Sequence, residues 1–139
     1  AILLRMETDV LDLFNASIDG AAGGLDIRMR PGASVCVIAA SQGYPGKYTA
    51  GKPIHGLGDG LENGSGSGLP DRPDGNVVVF HSGTAVKDGQ LVTAGGRVLA
   101  VTSAAGDLRT ALDLAYAQLA KISFEGMQFR RDIGHRALH

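Results

Sequence analysis

The sequence has no tryptophan, a single cysteine and only 5% aromatic residues. One thiol, Cys36, can form no internal disulfide and no structural metal site by itself, which points to a reducing compartment and a cytoplasmic address. Long apolar runs are missing too. The longest, Val77-Val78-Val79-Phe80 and Val35-Cys36-Val37-Ile38-Ala39-Ala40, fall far short of the roughly 18–20 residues that span a bilayer. No membrane anchor is expected. Nor is there an excess of charge of one sign: 13 Lys and Arg against 14 Asp and Glu leave a formal net charge of −1, which removes the electrostatic basis for non-specific nucleic-acid binding. The four histidines are scattered and match no metal-ligand spacing, so no metal site is expected. The first residues, Ala1-Ile2-Leu3-Leu4-Arg5, show neither an initiator methionine nor the design of a signal peptide, and the chain reads as a fragment.

What is present is enough for one domain: 139 residues, 44% of them hydrophobic and 19% charged. Val10, Leu11, Phe14 and Ile18 recur at helical spacing and predict an amphipathic helix over 8–22, capped by Thr8 or Asp9 and ended by Gly23-Gly24. Acids at Glu7, Asp9 and Asp12 complement the positive end of its dipole. A turn at Arg30-Pro31-Gly32 leads into a buried strand over 34–40. Residues 43–76 then hold ten of the 21 glycines and four of the five prolines, and mobility is expected over 59–75. Residues 77–81, 90–93 and 97–102 read as strands of an antiparallel meander, with Asp88-Gly89 supplying a tight hairpin. Asp107 caps a last helix whose apolar face is Leu108, Ala111, Leu112, Ala115, Leu119 and Ile122, and 123–129 looks extended. The fold class is therefore α+β, a mostly antiparallel sheet with a packed helix.

Three segments have the chemistry to meet a ligand. In Thr93-Ala94-Gly95-Gly96-Arg97 the paired glycines let the backbone approach an anion while the neighbouring guanidinium grips it, although a plain glycine turn beside a solvated arginine uses the same residues. Ser41-Gln42-Gly43-Tyr44-Pro45-Gly46-Lys47-Tyr48 follows a buried strand directly, where tyrosines serve either a ligand or packing. His81-Ser82-Gly83-Thr84 ends another strand with an imidazole and two hydroxyls, but no acid nearby in sequence orients the histidine as a hydrolase triad requires. The tail from Arg130-Arg131 to Arg136 either reaches an anion or forms a solvated face.

Taken together, these segments resemble the C-terminal region of phosphoribosylamine glycine ligase, also called glycinamide ribonucleotide synthetase. The resemblance runs through residues 40–45, 79–84, 92–102 and 124–134, in order and spacing, and breaks only at the Gly/Ser insert. It implies that residues 1–30 end an ATP-grasp core and that residues 31–139 form a barrel-like sandwich closing the active site. It further implies ATP- and magnesium-dependent joining of glycine to 5-phosphoribosylamine in purine synthesis, through a phosphorylated glycine carboxylate. Within that reaction Arg97 would hold the ribose phosphate, assisted by Thr93 and the backbone of Gly95 and Gly96. Tyr44, Pro45, Gly46, His81, Ser82 and Thr84 would shape the substrate side, and Arg130 would add to the anionic pocket. No residue of this chain is assigned a catalytic role. ATP and magnesium belong to the parent enzyme, neither is expected to bind this chain alone, and the remaining ligase domains would be its partners. The chain by itself is expected to catalyse nothing. Two alternatives stand beside this reading: a non-catalytic sugar-phosphate-binding or interaction module, and the matching region of another ATP-grasp enzyme such as a biotin-dependent carboxylase, against which the four blocks argue.

Overall fold

The computed structural model describes residues 1–57 and 76–138, so the mobility expected at 59–75 lies outside the described residues. Two short helices, α1 (Ile2–Arg5) and α2 (Val10–Ile18), precede five strands. These are β1 (Ala33–Ala40), β2 (Asn76–His81), β3 (Thr84–Lys87), β4 (Gln90–Thr93) and β5 (Arg97–Ala105), and helix α3 (Leu108–Leu119) follows. The class is α+β, as the pattern predicts.

α2 is shorter than its periodicity suggests. Asp9 accepts the Leu11 N–H at 2.8 Å and starts the helix. Gly20, at φ 69°, takes the left-handed conformation that ends it before Gly23 is reached. Among the described residues α2 buries none of its own side chains. α1 is tied down differently: Leu4 is buried, and the Arg5 guanidinium donates twice to the Arg30 carbonyl, at 3.1 and 2.9 Å.

The sheet departs from a meander. β5 lies in the centre, with β1 and β2 antiparallel on its two sides, while β3 and β4 pair only with each other. The hairpin turn at Asp88-Gly89 is where expected, both residues at positive φ, but it closes β3 onto β4 and leaves β2 free to pair with β5. The reason is apolar content. Val77 and Val79 face Ser103 and Val101 and extend the buried face along a six-residue strand, longer than the four-residue β4 that a meander would set there.

Alternation assigns the faces. Val35, Val37 and Ala39 of β1 are buried and oppose Ser103, Val101 and Leu99. The Ser103 hydroxyl donates to the Ala111 carbonyl, so this is the face that looks at α3. There Ala111, Leu112, Ala115 and Leu119 complete the core, each buried aliphatic side chain of leucine or valine size contributing about 1.5–3 kcal/mol. Ile122 is buried just past the helix rather than within it.

Asp107 caps α3 as predicted, accepting the Thr110 N–H at 2.9 Å and the Thr110 hydroxyl at 2.7 Å. These bonds, the backbone one foremost, hold its carboxyl below the ordinary value of 3.8. A carboxylate lowered on folding adds stability that is complete above its unfolded value and lost as pH falls through the folded one. Asp107→Asn should therefore melt below wild type at pH 7, and the gap should close on acidification below about pH 4. A gap constant from pH 7 to pH 2.5 in thermal melts would contradict this.

Candidate functional site

Antiparallel pairing brings the chemistry to one end of the sheet. The last residues of β1 and β2 meet the first of β5, since Ala40 pairs with Arg97 and His81 with Leu99. The loop after β1, the loop after β2 and the turn before β5 thus converge. A fourth segment joins them because Ala40 and Gln128 exchange both backbone bonds, at 2.8 and 2.9 Å.

A bulge aims the key cation. The β1–β5 register slips between Ala39, which faces Leu99, and Ala40, which faces Arg97. Strict alternation from Val101 and Leu99 would send Arg97 toward α3. The extra residue, Val98, turns Arg97 to the opposite face, where it shares a groove with Ile38 and Ala40.

The turn itself is clamped from both sides. Ser41 donates its N–H to the Gly96 carbonyl at 2.8 Å and its hydroxyl to the Gly95 carbonyl at 2.9 Å. From the other side the Ala94 N–H reaches the Gly83 carbonyl at 2.7 Å, and Ser82 and Gly83 both donate to Val98. Gly83 and Gly95 touch backbone to backbone, and the Tyr44 ring rests where a side chain on Gly96 would stand. Both contacts require glycine for space rather than for an unusual φ.

The resulting groove holds about 660 Å³. Ile38, Ala40 and Tyr44 form one part of it, Arg97 stands at the strand end, and residues 127–131 form the opposite wall. Its three guanidinium groups are unequal. Arg130 is engaged bidentately with Asp132, at 2.9 and 2.8 Å, and that hydrogen-bonded pair raises the arginine pKa and lowers the aspartate's. Arg131 lies 5.6 Å over the Phe129 ring. Arg97 makes no hydrogen bond or ion pair among the described residues. Its full fork is available for an anion, as are the N–H groups of Arg131, whose stacking on Phe129 engages none of them among the described residues.

Of the residues singled out from sequence, Tyr44, Arg97 and Arg130 line this groove together. Thr93 is not among the groove lining: it is 1% exposed, and its hydroxyl accepts the Lys52 N–H at 3.0 Å, bracing the chain that runs beside β4. Gly95 and Gly96 form the turn with their carbonyls directed at Ser41. Pro45, after a cis peptide bond, and Gly46 are exposed beyond the groove lining. His81, Ser82 and Thr84 occupy the adjoining loop, where His81 Nδ1 and Thr84 Oγ1 lie 3.1 Å apart. Sequence reasoning missed Ile38, Ala40, Met127, Gln128 and Phe129 as lining, and Ser41 as a clamp. The extended pattern of 123–129 was the available signal, but the partner it pairs with is distant in the chain.

The described residues do not fit a magnesium site, for they bring together no group of three or more His, Cys, Asp or Glu able to hold a metal.

Residues 34–136 match the family model described as phosphoribosylglycinamide synthetase, C domain. The chain belongs to this family. Every residue discussed for the groove falls inside the matched span. The chain is 38% identical over 133 residues to the phosphoribosylamine–glycine ligase of Caldanaerobacter subterraneus, covering 96% of this chain and 28% of that protein. It is 41% identical over 138 residues to the trifunctional purine biosynthetic protein adenosine-3 of Gallus gallus, covering 99% of this chain and 13% of the relative. The crystal structure of the phosphoribosylamine–glycine ligase of Thermotoga maritima superposes with a TM-score of 0.62 at 34% identity, over 86% of this chain and 27% of that one. The chain thus spans less than a third of the length of these relatives. Its antiparallel α+β architecture agrees with the one described above.

Proposed function

We propose that this chain works as the C-terminal domain of a phosphoribosylamine–glycine ligase and holds the phosphate of 5-phosphoribosylamine in the groove headed by Arg97. The observation that carries the reading is an arginine without a carboxylate partner among the described residues, re-aimed by a bulge into a groove inside the family-matched span. A bidentate guanidinium is the side chain best matched to a phosphoryl group. Tyr44, Ile38 and Ala40 flank that contact with apolar surface while the guanidinium stays open to an arriving anion.

In this reading ATP, magnesium and glycine are held by the rest of the ligase, and the 139 residues alone turn over no ATP. Residues 1–30 belong with the preceding ATP-grasp core and residues 31–139 with the closing domain. Support comes from α2, whose Leu11, Phe14 and Ile18 are 62%, 56% and 82% exposed, the pattern of a helix that packs on other parts of the enzyme. A barrel-like closure fits the isolated bridges joining Pro53 to Val92 and His55 to Ser123. A cytoplasmic location accompanies the pathway; among the described residues no helix is long and apolar enough to cross a membrane.

The test is competition in the ligase. Ribose 5-phosphate should inhibit competitively against 5-phosphoribosylamine, whereas ribose at the same concentration should not. Equal inhibition by both sugars would refute a phosphate grip.

A further inference from the structure

We propose that Ser41 is a positioning residue for Arg97, and that its hydroxyl sets the span of the groove in which the substrate phosphate sits. The proposal rests on the reading of Arg97 just given. Ser41 is 4% exposed and Gly95 half-buried, so losing the hydroxyl leaves a partly shielded acceptor without its partner. Both bonds go to the twin-glycine turn, the hydroxyl to the Gly95 carbonyl and the N–H to that of Gly96. They stand where the sheet is least able to hold itself, because the register slip between Ala39 and Ala40 interrupts the ladder at this point.

The preceding residue completes the device. Ala40 exchanges both of its backbone bonds with Gln128, the residue that leads into Arg130 and Arg131. The Ala40–Ser41 peptide is therefore a short tie between two walls, one bearing Arg97 and the other bearing Arg130 and Arg131. The backbone supplies the bond to each wall, and the hydroxyl adds the one side-chain bond to the Gly95 carbonyl, opposite the Ala94–Gly83 bond that holds the turn from the other side. Without it the turn is held from the Gly83 side and by the Ser41 N–H only, and the backbone that carries Arg97 loses part of its placement while the core beneath it stays packed.

Steady-state kinetics of the ligase with Ser41→Ala test this. We expect the KM for 5-phosphoribosylamine to rise roughly tenfold, the scale of one lost buried hydrogen bond, with the KM values for glycine and ATP unchanged. Ser41→Thr, which keeps the hydroxyl, should restore the phosphate substrate's KM. An unchanged KM, or a uniform loss across all three substrates, would overturn the positioning role. Should Ser41→Ala fail to fold, Ser41→Cys, a weaker donor of similar size, carries the same comparison. Arg97→Ala separates the two levels: if it also leaves the phosphate substrate's KM unchanged, the reading of the groove fails, whereas an effect of Arg97→Ala without one of Ser41→Ala sinks only the present inference.

Discussion

Arg97→Ala in the ligase should raise the KM for 5-phosphoribosylamine by roughly a hundredfold, with binding of glycine and ATP little changed. Two charge-assisted hydrogen bonds at the low end of their range, about 1.5 kcal/mol each for an exposed cation, account for that scale, since about 1.4 kcal/mol is a factor of ten. Arg97→Lys should recover only part of the loss, because a point charge on a flexible stem replaces a planar fork. Arg130→Ala should be much milder, as its guanidinium already faces Asp132 with both oxygens engaged. The ranking is as informative as the size. Equal losses at Arg97 and Arg130 would mean that the groove acts through its summed charge, and no loss at Arg97 would remove the phosphate from this groove.

Gly83→Ala should be strongly damaging although the Gly83 φ is ordinary. The new Cβ would stand 2.6 Å from the Arg97 carbonyl oxygen, 2.6 Å from the Gly95 Cα and 2.8 Å from the Gly95 nitrogen. All three are backbone atoms in a turn held from both sides, so no side chain can swing away to make room. Overpacking of this kind costs about 1–3 kcal/mol, and for a domain of this size that lowers Tm by roughly 5–10 °C. Because strain enters at Gly95 and Arg97, phosphate binding should fall with it. Gly106→Ala is the control: nothing lies within 4 Å of its Cβ position, and its φ is not in the left-handed region. Thermal melts of both variants decide the matter, and a Gly83→Ala protein as stable as Gly106→Ala would show that the two loops separate freely.

How far the sequence alone reaches can be seen from these same residues. β1, the Asp88-Gly89 hairpin and the capped helix after Asp107 are local features, and spacing and turn chemistry suffice to find them. The choice of β2 over β4 as the neighbour of β5 is a competition for buried area between distant segments, which no local pattern encodes. The same holds for Thr93, whose hydroxyl looks available beside two glycines until Lys52 is brought against it. Arg97 is legible in the sequence as a cation beside paired glycines, a pattern that an ordinary turn shares. Its direction is not, since one slipped residue in a ladder decides which face it takes. Met127, Gln128 and Phe129 become groove lining only through the Ala40–Gln128 pairing, across nearly ninety positions of the chain.

Arg97 is also the first residue of a strand whose next two, Val98 and Leu99, have no solvent exposure at all. With so immobile a footing only the arginine side chain itself is ordered when its counterion arrives, at about 0.5–1.5 kcal/mol, and no backbone has to be organised. Encounter should then be governed by diffusion and long-range attraction: added salt would slow arrival while leaving departure almost untouched.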